Sequence, residues 1–170
     1  MLNKYIKKLF VCIIMVGSFA FSMQTGELTR DLPFANLQEA AAYVASGKAV
    51  DAGMVSDIIW NKNLDMLEVL AQSNTFPLNR YQELIGSPLG DAISSQATAI
   101  IHYLINTKGV KPTNNHIHLA LSGSHHVSLQ ALLKYHVDIH GTNSQGRTPI
   151  QFAESRGDQI SVQLLKAYTQ

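Results

Sequence analysis

The chain has 170 residues, a formal net charge of +1 and one cysteine, Cys12. No basic stripe runs through it, which argues against a nucleic-acid partner. The length allows one domain with a continuous core, and beyond Cys12 the chain can form no disulfide and no cysteine-based site.

Residues 1–22 read as a secretory signal. Lys4, Lys7 and Lys8 form a basic start, Leu9–Phe21 is an almost unbroken apolar run, and Ala20-Phe21-Ser22 offers small residues where a signal peptidase cuts. The run falls short of the ~20 residues a spanning helix needs. Leu9-Phe10-Val11-Cys12 has the outline of a lipoprotein box, but Val11 is too bulky and the apolar run continues past Cys12. Cleavage near Met23 takes the cysteine away and leaves all 12 acidic residues with 10 of the 13 basic ones, a net charge near −2. An exported chain without disulfides fits a bacterial periplasm or secretome.

Residues 23–33 are polar and read as a flexible linker, with a domain over 34–170. Leu37, Ala40, Ala41 and Val44 share a helical face that Ser46-Gly47 ends, which predicts an N-terminal capping helix. Residues 54–71 hold two apolar-faced pieces, around Val55, Ile58 and Ile59 and then around Leu67 and Leu70. Trp60 among them reads as partly buried core. Residues 73–86 form a longer connection, with one helical turn predicted over 81–85.

The C-terminal half is periodic. Thr148 is an N-cap with Pro149 at the first helical position and Gln151 placed to close a capping box; the helix stops near Gly157. A second helix carries Ile160, Val162, Leu164 and Leu165. A shift of 33 residues pairs Ile117 with Ile150, Leu129 with Val162, Leu132 with Leu165, and Asn115, as N-cap, with Thr148. One unit earlier, Ser87-Pro88-Leu89 and Ala92 repeat the start, and Ile101 and Leu104 repeat the second helix. Shifted by 34, Leu67 falls on Ile101 and Leu70 on Leu104.

A period near 33 with a Thr-Pro-apolar start resembles ankyrin repeats. Gly146, Thr148, Pro149, Ile150, Ala153, Gly157, Val162, Leu164 and Leu165 match that family's pattern, and Ile117, His118, Ala120, Leu132, Leu133, Asp138 and Ile139 match it one unit before. The departures are His116 for Pro, Ser124 for the mid-unit Gly, and His136 for the Gly after the second helix. The resemblance implies an all-α ankyrin-repeat solenoid of about four helix pairs behind the N-terminal capping helix. Lys166 and Gln163 give its last helix the polar outer face of a terminal cap.

All seven histidines fall between His102 and His140. No carboxylate joins them in a ligand pattern, so no metal or other cofactor is expected; His118 and His125 stand where ankyrin repeats commonly carry histidine. A phosphate loop, a nucleophile elbow and an HExxH motif are all missing, so no enzyme is expected. The resemblance implies a monomeric protein–protein interaction module, with no nucleic-acid partner and no membrane association after signal removal. Its partner, another protein, would fill a concave face built from projecting turns and first helices. The residues expected there are Thr142, Asn143, Ser144, Gln145 and Arg147 on the turn, Glu154, Ser155 and Arg156 on the next helix, and Ser122 one unit earlier. Action in the periplasm, on a host or competitor protein outside the cell, or through a histidine-based metal site stand as alternatives.

Overall fold

The computed structural model describes residues 33–76 and 87–169. The signal, the linker up to residue 32, the 81–85 turn and Gln170 lie outside them. Among the described residues there are nine α-helices and no strand. They are α1 (Leu37–Ala45), α2 (Ala52–Trp60), α3 (Leu64–Leu70), α4 (Pro88–Ser94), α5 (Thr98–Asn106), α6 (Asn114–Ser122), α7 (His126–Leu133), α8 (Pro149–Ser155) and α9 (Gln159–Tyr168).

Helices this short form only when capped and packed. Asn36, Asp51, Asn63, Ser87, Thr148 and Asp158 each accept a backbone N–H two or three places into the helix that follows, satisfying a donor the helix leaves open. The expected box at α8 is present: Gln151 Oε1 accepts from Thr148 N–H at 2.9 Å, and Thr148 Oγ1 accepts from Gln151 N–H at 3.4 Å. In α6 the cap is Thr113, and Asn115 lies inside the helix. Thr113 closes a reciprocal box with His116, so starting the helix two residues earlier satisfies more of its open donors.

The first helix of every pair ends in the same way. Lys62, Gln96, Ser124 and Gly157 all have φ between 54° and 70°, and each donates its N–H to the carbonyl three residues before it: Ile59, Ile93, Leu121 and Glu154. The next N–H of each turn (Asn63, Ala97, His125, Asp158) reaches back to Ile58, Ala92, Ala120 and Ala153. Four Schellman turns thus reverse the chain four times. Ser124 takes the backbone conformation of Gly157, and His136, φ 52°, takes the left-handed position after α7.

The pairs α2/α3, α4/α5, α6/α7 and α8/α9 are each packed internally. First helices pack in the sequence α2, α4, α6, α8, and second helices α5, α7, α9 do likewise; α1 packs on α3. The residues related by the 33- and 34-residue shifts, and by the 28-residue step from Leu89 to Ile117, fill one continuous core: Leu67, Leu70, Leu89, Ala92, Ile101, Leu104, Ile117, Ala120, Leu129, Leu132, Ala153, Val162 and Leu165 are all buried. Ile160 departs from this, being 54% exposed, as is Val127 (52%) one unit before. Two positions on a helix turn the chain by about 200°, so a residue two before Val162 cannot share its face.

Candidate functional site

The connection between α7 and α8, residues 134–148, is the longest fully described one. Its root is held by Val137 and Ile139, both buried, which flank the exposed Asp138. Asn114, the first residue of α6, donates its Nδ2 hydrogen to the Asp138 carbonyl at 3.0 Å. Asp138 Oδ1 in turn accepts from His140 N–H at 2.8 Å. A Cβ at Gly141 would come within 3.0 Å of Asn114 Cγ and 3.1 Å of Asp138 Oδ2, so the connection passes α6 too closely for a larger residue.

The tip is a closed turn. Asn143 Oδ1 accepts from Gln145 N–H at 2.9 Å and from Arg147 N–H at 3.1 Å. The Asn143 N–H donates to the Arg147 carbonyl, and Gly146 N–H donates to the Asn143 carbonyl, both at 2.9 Å. Short polar side chains that bond their own backbone favour such turns over helix or strand. Asn143 is accordingly half-buried and spent on the turn, whereas Thr142, Ser144, Gln145 and Arg147 are exposed.

Arg147 bridges turn and helix. Its guanidinium donates to Ser155 Oγ at 2.9 Å, and Ser155 Oγ donates to the Phe152 carbonyl at 2.8 Å. Arg156 lies over the Phe152 ring, 5.7 Å from its centre, a cation–π arrangement on an exposed face. Glu154 faces Lys166 of α9 at 3.7 Å, and Ser122 Oγ donates to the His118 carbonyl at 2.8 Å. The structure therefore couples Arg147 directly to Ser155, sets Arg156 beside them through Phe152, and gives Glu154 a partner on the second helix. Asn114 and Phe152, which organise this surface, were not among the residues expected from sequence; Asn114 is one more polar residue in a polar stretch, and its role comes from a neighbour 24 residues away.

The histidines join units rather than gather. His102 Nδ1 is hydrogen-bonded to the Tyr135 hydroxyl one unit on, which also accepts from Asn106 Nδ2 at 3.0 Å. His126 Nε2 reaches Asp158 Oδ1 at 2.9 Å. His125 lies over Gly123, where a Cβ would be 2.0 Å from its Nε2. His116 and His118 are buried, and burial pushes both below the ordinary imidazole range, His116 down to about 4. His125 is lowered as well, by burial and then by the neighbouring His126. Among the described residues no three His, Cys, Asp or Glu side chains are grouped to hold a metal ion. Nor is any helix among them long and apolar enough to cross a membrane.

The family model for ankyrin repeats (many copies) matches residues 117–166, the stretch from α6 into α9. That match supports an ankyrin repeat protein. Ankyrin repeats are generally protein–protein interaction modules, and the all-helical architecture is consistent with them. No curated protein matches the chain.

Proposed function

We propose that the chain is an exported ankyrin-repeat solenoid, closed at its N-terminal end by α1 and at its C-terminal end by α9, that works by holding another protein and not by catalysis. The observation that carries this reading is the surface made by residues 142–147 and α8, where Arg147, Ser155 and Arg156 are held in place by the turn and by Phe152. A preorganised, exposed patch with two guanidinium groups can pair with carboxylates or backbone carbonyls of a partner at little ordering cost. The basic start and apolar run of residues 1–22 support export, to the periplasm or beyond the cell.

The test is affinity capture with a 23–170 chain from envelope and culture-fluid extracts, beside a variant with Gln145, Arg147 and Arg156 all changed to alanine. Asn143 is left intact because it holds the turn. A protein retained by the first bait and at least about tenfold less by the second, equivalent to ~1.4 kcal/mol, supports the assignment. Equal retention by both baits removes the site.

A further inference from the structure

We propose that α6 and the 134–148 connection form an acid-released clasp, closed while His116 and His118 are neutral and opened when they take up protons. The opening would alter the binding surface proposed above; its consequence for a partner rests on that reading, but the opening itself does not.

The start of α6 cannot keep its reciprocal box with a charged His116. Nδ1 of His116 accepts the Thr113 backbone N–H at 3.1 Å and lies 2.9 Å from the Thr113 hydroxyl. A nitrogen that accepts an N–H carries no proton of its own. Protonation would set two donors against each other, and would add a cation to a helix N-terminus already rich in unpaired N–H groups. The same box at α8 uses Gln151, which offers an uncharged oxygen at every pH.

His118 adds to this one turn further on. Both its ring nitrogens are buried, and neither is in hydrogen-bonding geometry with a partner among the described residues. The ring meets the edge of Phe152 on α8, with centres 5.8 Å apart. The backbone of Gly141 approaches it and offsets only part of the effect of burial. A charged imidazole there would lack both water and a counter-charge. The titratable or charged groups on the elements packed around α6 are Asp91 on α4, His126 on α7, Glu154 on α8, and Lys134, Tyr135, His136, Asp138, His140 and Arg147 in the connection. Asp138 accepts from the His140 backbone N–H, Glu154 faces Lys166, His126 faces Asp158, and among the described residues no carboxylate is paired with either buried imidazole.

The connection is fastened to this same helix. Asn114, next to Thr113, holds the Asp138 carbonyl and packs against Gly141, while His118 faces Gly141 and Phe152. Loosening the first turns of α6 therefore removes the support of residues 138–141 and, through them, of the tip. The sign follows from linkage. Unfolded histidine binds protons near pH 6.5, the closed form only at lower pH, so stability is complete above about 6.5 and falls toward about 4.

Unfolding equilibria and backbone amide spectra of the 23–170 chain at about pH 7 and about pH 5 test this without any partner. For wild type, the unfolding constant should rise roughly twentyfold from His116 alone, and the resonances of Thr142–Arg147 should shift and broaden reversibly while those of α4 hold. His116→Gln keeps an acceptor and should remove most of that rise; adding His118→Leu should remove more. Should the double variant fold poorly, His116→Gln alone decides. An unmoved connection at pH 5 in wild type, or an equal rise in His116→Gln, overturns the clasp.

Discussion

Ser128 Oγ donates a 2.8 Å hydrogen bond to the main-chain carbonyl of Ile93, and both residues are fully buried. Ser128 sits in the first turn of α7 and Ile93 near the end of α4, so the bond ties one helix pair to the next. The same carbonyl also accepts the Gln96 N–H at 3.1 Å within its own turn. Ser128→Ala therefore leaves no orphaned acceptor, and the loss should be that of one net hydrogen bond, about 1 kcal/mol. Urea unfolding measures it. A midpoint equal to wild type would mean that the bond contributes nothing to joining the units.

The four Schellman turns give a prediction of opposite sign. Gln96 is exposed with φ 55°, a conformation that costs a non-glycine residue roughly 1–2 kcal/mol. Glycine removes that cost but gives back ~0.5–1 kcal/mol in unfolded-chain entropy. Gln96→Gly should raise stability by roughly 0.5–1 kcal/mol. Gly157→Ala should lower it by about as much, although a Cβ there meets nothing within 4 Å, so only the backbone objects. Thermal melting of the pair checks both directions at once.

That periodicity also explains how much could be read beforehand. The 33-residue recurrence of Ile117/Ile150, Leu129/Val162 and Leu132/Leu165 reflects burial against a neighbouring unit, and burial leaves a mark in composition. The pair α2/α3 was legible for the same reason, through Leu67 and Leu70, despite its lack of a Thr-Pro start. The left-handed turn positions were legible at Gly157 and, as its counterpart one unit before, at Ser124. Lys62 and Gln96 pay the strain without announcing it, because the rest of the turn determines their φ. The candidate surface was legible as polarity and no further. That Asn143 is spent on its own turn, that Arg147 is anchored to Ser155 and that Asn114 carries Asp138 are matters of geometry, with no period or residue preference to reveal them. Thr113 outcompeted Asn115 as a cap because His116 could complete a box, which an Asn-based reading of the 33-residue shift passes over.

Asp158 should control a different acid transition from the one assigned to α6. Burial by itself would raise its pKa, but the hydroxyl and amide of Ser161 and the imidazole of His126 outweigh that and hold the carboxyl below its usual 3.8. A depressed carboxyl pKa contributes stability that is present above the unfolded value and is lost as pH falls through the folded one. Its loss therefore lies below about pH 4, under the histidine window. Asp158→Asn should cost roughly 1–2 kcal/mol near neutrality, since it weakens a helix cap and the hydrogen bond to His126 together. In the variant the decline below about pH 4 should flatten while the decline between about 6.5 and 4 persists. An unchanged decline below about pH 4 in the variant would remove Asp158 as its source.

The packing of neighbouring first helices yields the last prediction. Ala92, Ala120 and Ala153 occupy corresponding positions in α4, α6 and α8, and each is no more than 1% exposed. Each also supplies the carbonyl that closes the Schellman turn of its helix. At the corresponding place in α2 the residue is Ile58, fully buried, on a first helix that among the described residues has α4 alone beside it in that row. Small residues are thus kept where a first helix must approach another on its N-terminal side, and a large one is accepted at the start of the row. Ala153→Leu should force α8 away from α6 and cost ~1–3 kcal/mol, the usual range for an overfilled core. Gln163→Leu, on the exposed side of α9, should stay within about 0.5 kcal/mol of wild type. Ile58→Ala should lose ~2–5 kcal/mol by leaving a cavity, the reverse of relieving a crowded site. Calorimetric melting of the three variants under one condition distinguishes them. If Ala153→Leu melted with Gln163→Leu, the first-helix row would not be packed through these alanines, and the register that places Ile58, Ala92, Ala120 and Ala153 on one line would be wrong.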